Sequence, residues 1–248
     1  MKPVWLILIA FTITSLTVDF KSEQLKSARV KKAYDTKEVS LKELYESKGL
    51  NFQSQQIFIR AFKKERALEL WARSDFKGKF KLVKTFDFCY ASGGLGPKRK
   101  YGDNQVPEGF YVIDRHNPWS DYHLSLGINY PNESDKILSN KKNPGGDIFI
   151  HGKCVSIGCI AITDDKIEEL YIAAVEARNK GQQKIPVFIF PFRMTEENME
   201  NMKEAYSDYA ALISFWNNLK TGYDYFEKNK TLPVITVKTD GKYSFKPI

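Results

Sequence analysis

Apolar residues alternate with period two through much of the middle of this chain and recur with a period near 3.6 in three other stretches. Ile57, Ile59 and Ala61 fall on one face of an extended run from Ile57 to Phe62. Lys63-Lys64-Glu65 then supplies a polar turn, and Leu68, Leu70 and Ala72 repeat the alternation on the return, which predicts a β-hairpin. Further strands are predicted over Phe80–Tyr90, Phe110–Ile113, Tyr122–Ile128, Asp147–Ile150 and Val187–Phe190, the last closed by Pro191. Gly- and Pro-bearing stretches at 91–109 and 129–146 read as loops between them.

The helical periodicity begins at Ser22 and runs to about Leu50. There Ser40-Leu41-Lys42-Glu43 matches a capping box, Leu41, Leu44 and Tyr45 share a face, and Gly49 ends the turn. Thr163 is an expected N-cap with Asp164 and Asp165 in the first turn. Ile167, Leu170, Tyr171, Ala174 and Val175 follow as one apolar stripe, and Gly181 lies just past the end. A third helical segment runs from Thr195 to about Leu219. Pro233–Val237 and Tyr243–Phe245 then read as a terminal hairpin around Asp240-Gly241. The elements together predict an α+β chain with a mainly β core, flanking helices and a C-terminal helix-hairpin extension.

With 248 residues, 42% apolar and 14% aromatic, the chain can bury one sizeable core with appendages rather than two full domains. A formal charge of +8 comes mostly from dispersed lysines, and runs such as Lys63-Lys64, Lys98-Arg99-Lys100 and Lys141-Lys142 read as solvated faces and loop tips. No basic helix with interleaved aromatics accompanies the charge, which argues against nucleic acid. A polyanionic cell wall suits the charge better. Met1-Lys2-Pro3 followed by an uncharged run from Val4 to Val18 has the form of a secretory signal, with cleavage expected near residues 17–20; an uncleaved anchor is the alternative.

The most informative stretch is Ile150-His-Gly-Lys-Cys-Val-Ser-Ile-Gly-Cys159. It places an imidazole, His151, eight residues before a thiol, Cys159, with Ser156-Ile157-Gly158 as a small-residue turn between. A thiol attacks acyl carbons as thiolate, and a neighbouring imidazole is the usual base. The backbone amides of Gly158 and Cys159 are candidate oxyanion donors, and Ser156 reads as a hydrogen-bonding turn residue. Three other readings compete: His151 as a satisfied interior histidine, a zinc site of His151, Cys154 and Cys159 lacking a fourth ligand, and Cys159 as a redox switch. His116 and His123 read as loop and strand residues, with His123 a possible cleft lining. If the chain is exported, an odd count of three cysteines leaves one thiol unpaired or paired between chains; with Cys159 as nucleophile, Cys89 and Cys154 are free to pair, and Cys89 as a small buried hydrophobe is the alternative.

This motif resembles the active-site signature of the L,D-transpeptidase catalytic-domain (YkuD-type) family, in its YafK-like murein branch. The resemblance extends from about Gln55 to about Met194 through Gly93-Gly94-Leu95-Gly96-Pro97-Lys98, Gly102–Tyr111, Tyr122–Leu126, Tyr130-Pro131-Asn132 and Phe190-Pro191-Phe192-Arg193. It departs from the widespread form at Ile157, where a second histidine is common, and at Ala161, where a basic or amide residue usually grips the donor peptide. The resemblance implies a curved mixed sheet or sandwich over residues 55–194, preceded by an export segment at 1–20 and a helical arm at 21–54, with 195–248 as an extension. It further implies an exported periplasmic or cell-envelope enzyme that needs neither cofactor nor metal. Cys159 would be its nucleophile and His151 its base, oriented by the carbonyl of Gly152. The expected partners are peptidoglycan stem peptides and an amine acceptor, such as a second stem peptide or a lysine of a wall-anchored protein; membrane contact would come only from the N-terminal segment. A hydrolase using the same site is the nearest alternative, and a non-catalytic wall-binding module is an alternative of another class.

Overall fold

The computed structural model describes residues 19–75 and 77–247; of the expected export segment at 1–20, residues 1–18 lie outside them. Among the described residues no helix is long and apolar enough to cross a membrane. Eight strands form one sheet: β1 (Gln56–Phe62), β2 (Ala67–Arg73), β3 (Lys81–Asp87), β4 (Gly109–Asn117), β5 (Ser125–Ile128), β6 (Phe149–His151), β7 (Ile160–Ala161) and β8 (Ile185–Phe190), in the order β3-β2-β1-β8-β4-β5-β6-β7. β1 pairs parallel with β8 and β6 parallel with β7; every other neighbour is antiparallel.

The central strands are covered on both faces, and the two faces differ in chemistry. Ile57, Ile59 and Ala61 of β1 and Ile185, Val187 and Ile189 of β8 point to an aliphatic core. That core is completed by α4 (Asp164–Asn179) and, outside it, α2 (Ala28–Ser47). Phe58 and Phe62 of β1 and Phe188 and Phe190 of β8 point the other way, into an aromatic core closed by α5 (Glu196–Ala205), α6 (Ala210–Asn229) and the hairpin of β9 (Val234–Val237) and β10 (Tyr243–Lys246). A strand buried on both faces carries apolar residues at successive positions, so the alternation of the first subsection marks only one of its two cores.

The N-terminal arm docks on α4. α1 (Phe20–Gln24) and α2 meet it through Tyr171 Oη donating to Gln24 Oε1 (2.6 Å), Tyr34 Oη donating to Glu176 Oε1 (3.0 Å) and a Lys21–Glu176 ion pair (2.6 Å). The capping-box pattern at Ser40 does not cap a helix. α2 runs unbroken from Ala28, and the Ser40 hydroxyl donates to the Lys37 carbonyl within it (3.0 Å). Val30, Ala33 and Tyr34 extend the buried stripe of Leu41 and Tyr45 upstream, so packing on α4 keeps the backbone helical where a cap was possible. The segment after Thr195 is two helices rather than one, and α6 continues ten residues beyond Leu219 to Asn229. A short helix, α3 (Glu133–Leu138), opens with a full capping box of Asn132 and Asp135 inside the stretch expected to be loop.

Candidate active site

β6 and the start of β7 set His151 and Cys159 on adjacent strands. In their parallel ladder His151 sits opposite Ala161 and Ile150 opposite Ile160. Side chains alternate along strands, so Cys159, two residues before Ala161, projects from the same face as His151, one pleat back. The amide of Phe149, two residues before His151, donates to Cys159 Sγ (3.4 Å), which fixes this neighbourhood. Ile150 and Ile160 point into the aliphatic core under α4, so the pair stands on the opposite face. A cleft of about 510 Å³ opens there, lined by Cys159, Ile148, Asp147, Lys98, Tyr101 and Asn143 among others.

His151 is 2% exposed, and its Nδ1 lies 2.6 Å from the carbonyl oxygen of Gly152. A carbonyl only accepts, so Nδ1 carries the ring proton in the neutral tautomer and Nε2 holds the basic lone pair. Burial pulls the imidazole below its ordinary value, with the Gly152 carbonyl opposing. Burial pushes the Cys159 thiol up, while the Phe149 amide and the Lys98 charge pull it down and Asp147 adds to the rise. Both shifts favour the neutral forms, the thiol and the unprotonated imidazole.

The turn ahead of Cys159 is built around Ser156. Its Oγ accepts from the amides of Gly158 (3.1 Å) and Cys159 (2.8 Å) and donates to the Cys159 carbonyl (2.8 Å). The two amides named as oxyanion donors are thus turned onto a hydroxyl in this state. Gly158 has φ +132°, and a Cβ there would stand 3.1 Å from the Gln105 carbonyl oxygen, so the position requires glycine. Gly152 is required by space: a Cβ would meet Asp164 Oδ1 at 2.5 Å. That carboxylate accepts from the Lys153 amide (2.7 Å) and ties the loop to the start of α4.

A disulfide joins Cys89 to Cys154, with Cα atoms 5.3 Å apart, and leaves Cys159 as the free thiol. The backbone around it adds to the outer edge of β7, where the Cys89 amide donates to the Ala161 carbonyl (3.0 Å) and Tyr90 bridges Ala161. Cys154 is therefore not available as a zinc ligand. Among the described residues no group of three or more His, Cys, Asp or Glu is placed to hold a metal ion. His123 does not line the cleft: its Nε2 lies 2.8 Å from Glu168 Oε1 on α4. His116 is packed between Phe20 and Tyr171.

Sequence reasoning missed two neighbours of the pair. Tyr122 lies over the His151 ring with centroids 4.7 Å apart. Lys98 was read as part of a solvated run, yet it is 4% exposed and ion-paired to Asp103 at 2.6 Å. Lys63 is a second correction: at 8% exposure it is buried beside Glu108.

A family model, the L,D-transpeptidase catalytic domain (YkuD), matches residues 58–189, a span that runs from within β1 to within β8 and includes His151 and Cys159. The chain belongs to the L,D-transpeptidase catalytic-domain family. Its relatives include YafK of Escherichia coli K12, a candidate L,D-transpeptidase by name, 39% identical over 189 residues that cover 75% of this chain and 72% of YafK. Solved structures with a looser likeness include the helical cell shape determining protein Pgp2 of Campylobacter jejuni (20% identity, TM-score 0.45, 75% of this chain and 73% of that one). L,D-transpeptidase 1 of Mycobacterium tuberculosis is more distant (12% identity, TM-score 0.32, 54% and 62%).

Proposed function

We propose that this chain is an exported cysteine acyltransferase that acts on peptidoglycan stem peptides. The observation that carries the reading is the β6–β7 register, which sets the free thiol of Cys159 one pleat from His151, whose Nδ1 is fixed on the Gly152 carbonyl so that Nε2 is the basic nitrogen. Family membership supports the substrate class, and the Cys89–Cys154 bond supports an oxidising compartment.

In this reading Nε2 of His151 takes the Cys159 proton as sulfur bonds to the carbonyl carbon of the L-centre of a diaminopimelate-type residue. The carbonyl π electrons move onto oxygen, and the tetrahedral intermediate collapses as the imidazolium protonates the departing amine of D-alanine. A thioester on Cys159 remains. The side-chain amine of a second stem peptide, or of a lysine on a wall-anchored protein, attacks it; His151 accepts the amine proton and returns it to sulfur. Because thiol and imidazole start neutral, proton transfer accompanies attack instead of preceding it. The two amides on Ser156 Oγ serve the oxyanion only if the hydroxyl gives them up as the charge develops.

Incubation with tetrapeptide muropeptides, read by mass spectrometry, tests this. The expected products are a thioester on Cys159, free D-alanine and an amine-linked dimer; Cys159→Ala abolishes all three. D-alanine release with water as the sole acceptor places the chain with the hydrolases. No acyl adduct on Cys159 and no released D-alanine from any muropeptide leaves only a wall-binding module.

A further inference from the structure

The catalytic cleft contains a charged side chain with no role in the proton transfers above. Lys98 enters from the 91–109 loop and lines the cleft together with Cys159. Its ammonium donates to Asp103 Oδ1 (2.6 Å) and to the Lys100 carbonyl (3.0 Å). Asp103 is in turn fixed by the amides of Arg99, Lys100 and Gln105, so the lysine is held by a preformed loop. An ammonium carries three N–H donors, and these two acceptors leave one without a hydrogen-bond acceptor, with the Tyr130 ring 6.0 Å away. Gly145 makes the room, since a Cβ there would lie 2.8 Å from Lys98 Cε and 3.3 Å from Nζ. A buried cation held by a carboxylate on one side and open to a cleft on the other is a built receptor for an anion. Ala161, opposite His151, offers no polar group for that task.

Resting on the acyl-transfer reading, we propose that Lys98 binds the α-carboxylate of the terminal D-amino acid of the donor peptide, the residue that leaves. That carboxylate sits one residue past the carbonyl attacked by Cys159, and the Lys98 charge already acts on Cys159 Sγ. A donor whose leaving group is a lysine side chain lacks a carboxylate at this distance, so Lys98 selects D-amino-acid leaving groups over protein-linked ones.

The test compares a tetrapeptide ending in free D-alanine with the same peptide ending in D-alaninamide, and with a third peptide amidated at the D-centre carboxylate of the diaminopimelate. Turnover is measured on the wild type, and binding on Cys159→Ala. One charge-assisted hydrogen bond predicts about a tenfold or greater preference for the free acid over the D-alaninamide, carried by KM and by Kd. Lys98→Met brings that ratio to about one, and Lys98→Arg retains it. Lys98→Met/Asp103→Asn, which leaves no unpaired carboxylate in the loop, behaves as Lys98→Met and controls for misfolding. An unchanged ratio in both Met variants overturns the assignment, as does a preference lost with the D-centre amide in place of the terminal one. If the wild type turns over neither donor yet binding shows the Lys98-dependent preference, the acyl-transfer reading falls and the anchor stands. Turnover without that preference does the reverse.

Discussion

Glu108 is the point at which the sheet, the cleft loop and the C-terminal extension are joined, and its removal makes a sharp test of the packing. The carboxylate is 0% exposed. Oε1 accepts from Lys63 Nζ (2.9 Å) and the Gly96 amide (2.7 Å), and Oε2 accepts from Trp216 Nε1 on α6 (2.9 Å). Lys63 also donates to the carbonyls of Gly96 (2.7 Å) and Val106 (2.9 Å), so all three of its N–H groups are used. Glu108→Ala strands a buried ammonium and two buried N–H donors at once. Breaking a buried pair costs about 3–5 kcal/mol, and orphaned donors about 1–3 kcal/mol each, with overlap because they share one partner. A loss of about 4–6 kcal/mol is therefore expected, against a total stability of roughly 5–15 kcal/mol for a domain. Urea unfolding followed by far-UV circular dichroism measures it. In a cycle with Lys63→Met the double variant should be at least about 2 kcal/mol better than the sum of the singles, because it leaves no unpaired charge. A Glu108→Ala loss below about 1 kcal/mol, or strict additivity, refutes the reasoning.

Alkylation of Cys159 by iodoacetamide should be slow at pH 7 and climb as pH rises past the ordinary thiol range, since burial holds the thiol protonated; a plateau between pH 6 and 8 would show a standing ion pair instead. Acylation should persist on the acid side below the ordinary histidine value near 6.5, because a lowered imidazole loses its lone pair only at lower pH, and high pH should partly rescue His151→Ala. Replacing Cys89 and Cys154 by Ala should cost about 4 kcal/mol in chain entropy for a loop spanning 65 residues, and thiol titration of the native protein should find Cys159 alone; two or more free thiols reject the bond. Gly158→Ala, at φ +132°, should destabilise by about 1–3 kcal/mol and slow acylation by displacing Cys159; a fully active variant would show that the turn tolerates a side chain.

What was legible in the sequence followed the length of each signal. The hairpin of β1 and β2 and the buried stripe of α4 were readable because each repeats its period over several residues. β7, two residues long, has no period to read, yet its pairing with β6 is what aligns Cys159 with His151. Ser40 misled because a capping box is a local pattern, whereas the buried stripe from Val30 to Tyr45 spans four turns and prevails. Partners outside a basic run left no trace within it. Lys63 and Lys98 stand in basic runs typical of solvent, and only Glu108 and Asp103, 45 and 5 residues further on, make their burial possible.

At the site, the residue types gave the chemistry and the geometry gave its timing. A histidine eight residues before a cysteine specifies a base and a nucleophile but says nothing of which is charged at rest. The answer lies in what surrounds them. His151 has a neutral carbonyl on Nδ1 where a carboxylate would have raised its affinity for protons, and Cys159 has one amide and a distant ammonium against the cost of burial. Neither influence is strong enough to separate charge in the resting cleft. In the proposed reaction the substrate completes the electrostatics: its carbonyl oxygen would take the developing charge as the thiol proton moves to Nε2. On the proposed function, a site arranged this way would hold its cysteine as a weakly reactive thiol until a donor peptide fills the cleft, and in an oxidising compartment that would also protect the one thiol that the Cys89–Cys154 bond leaves free.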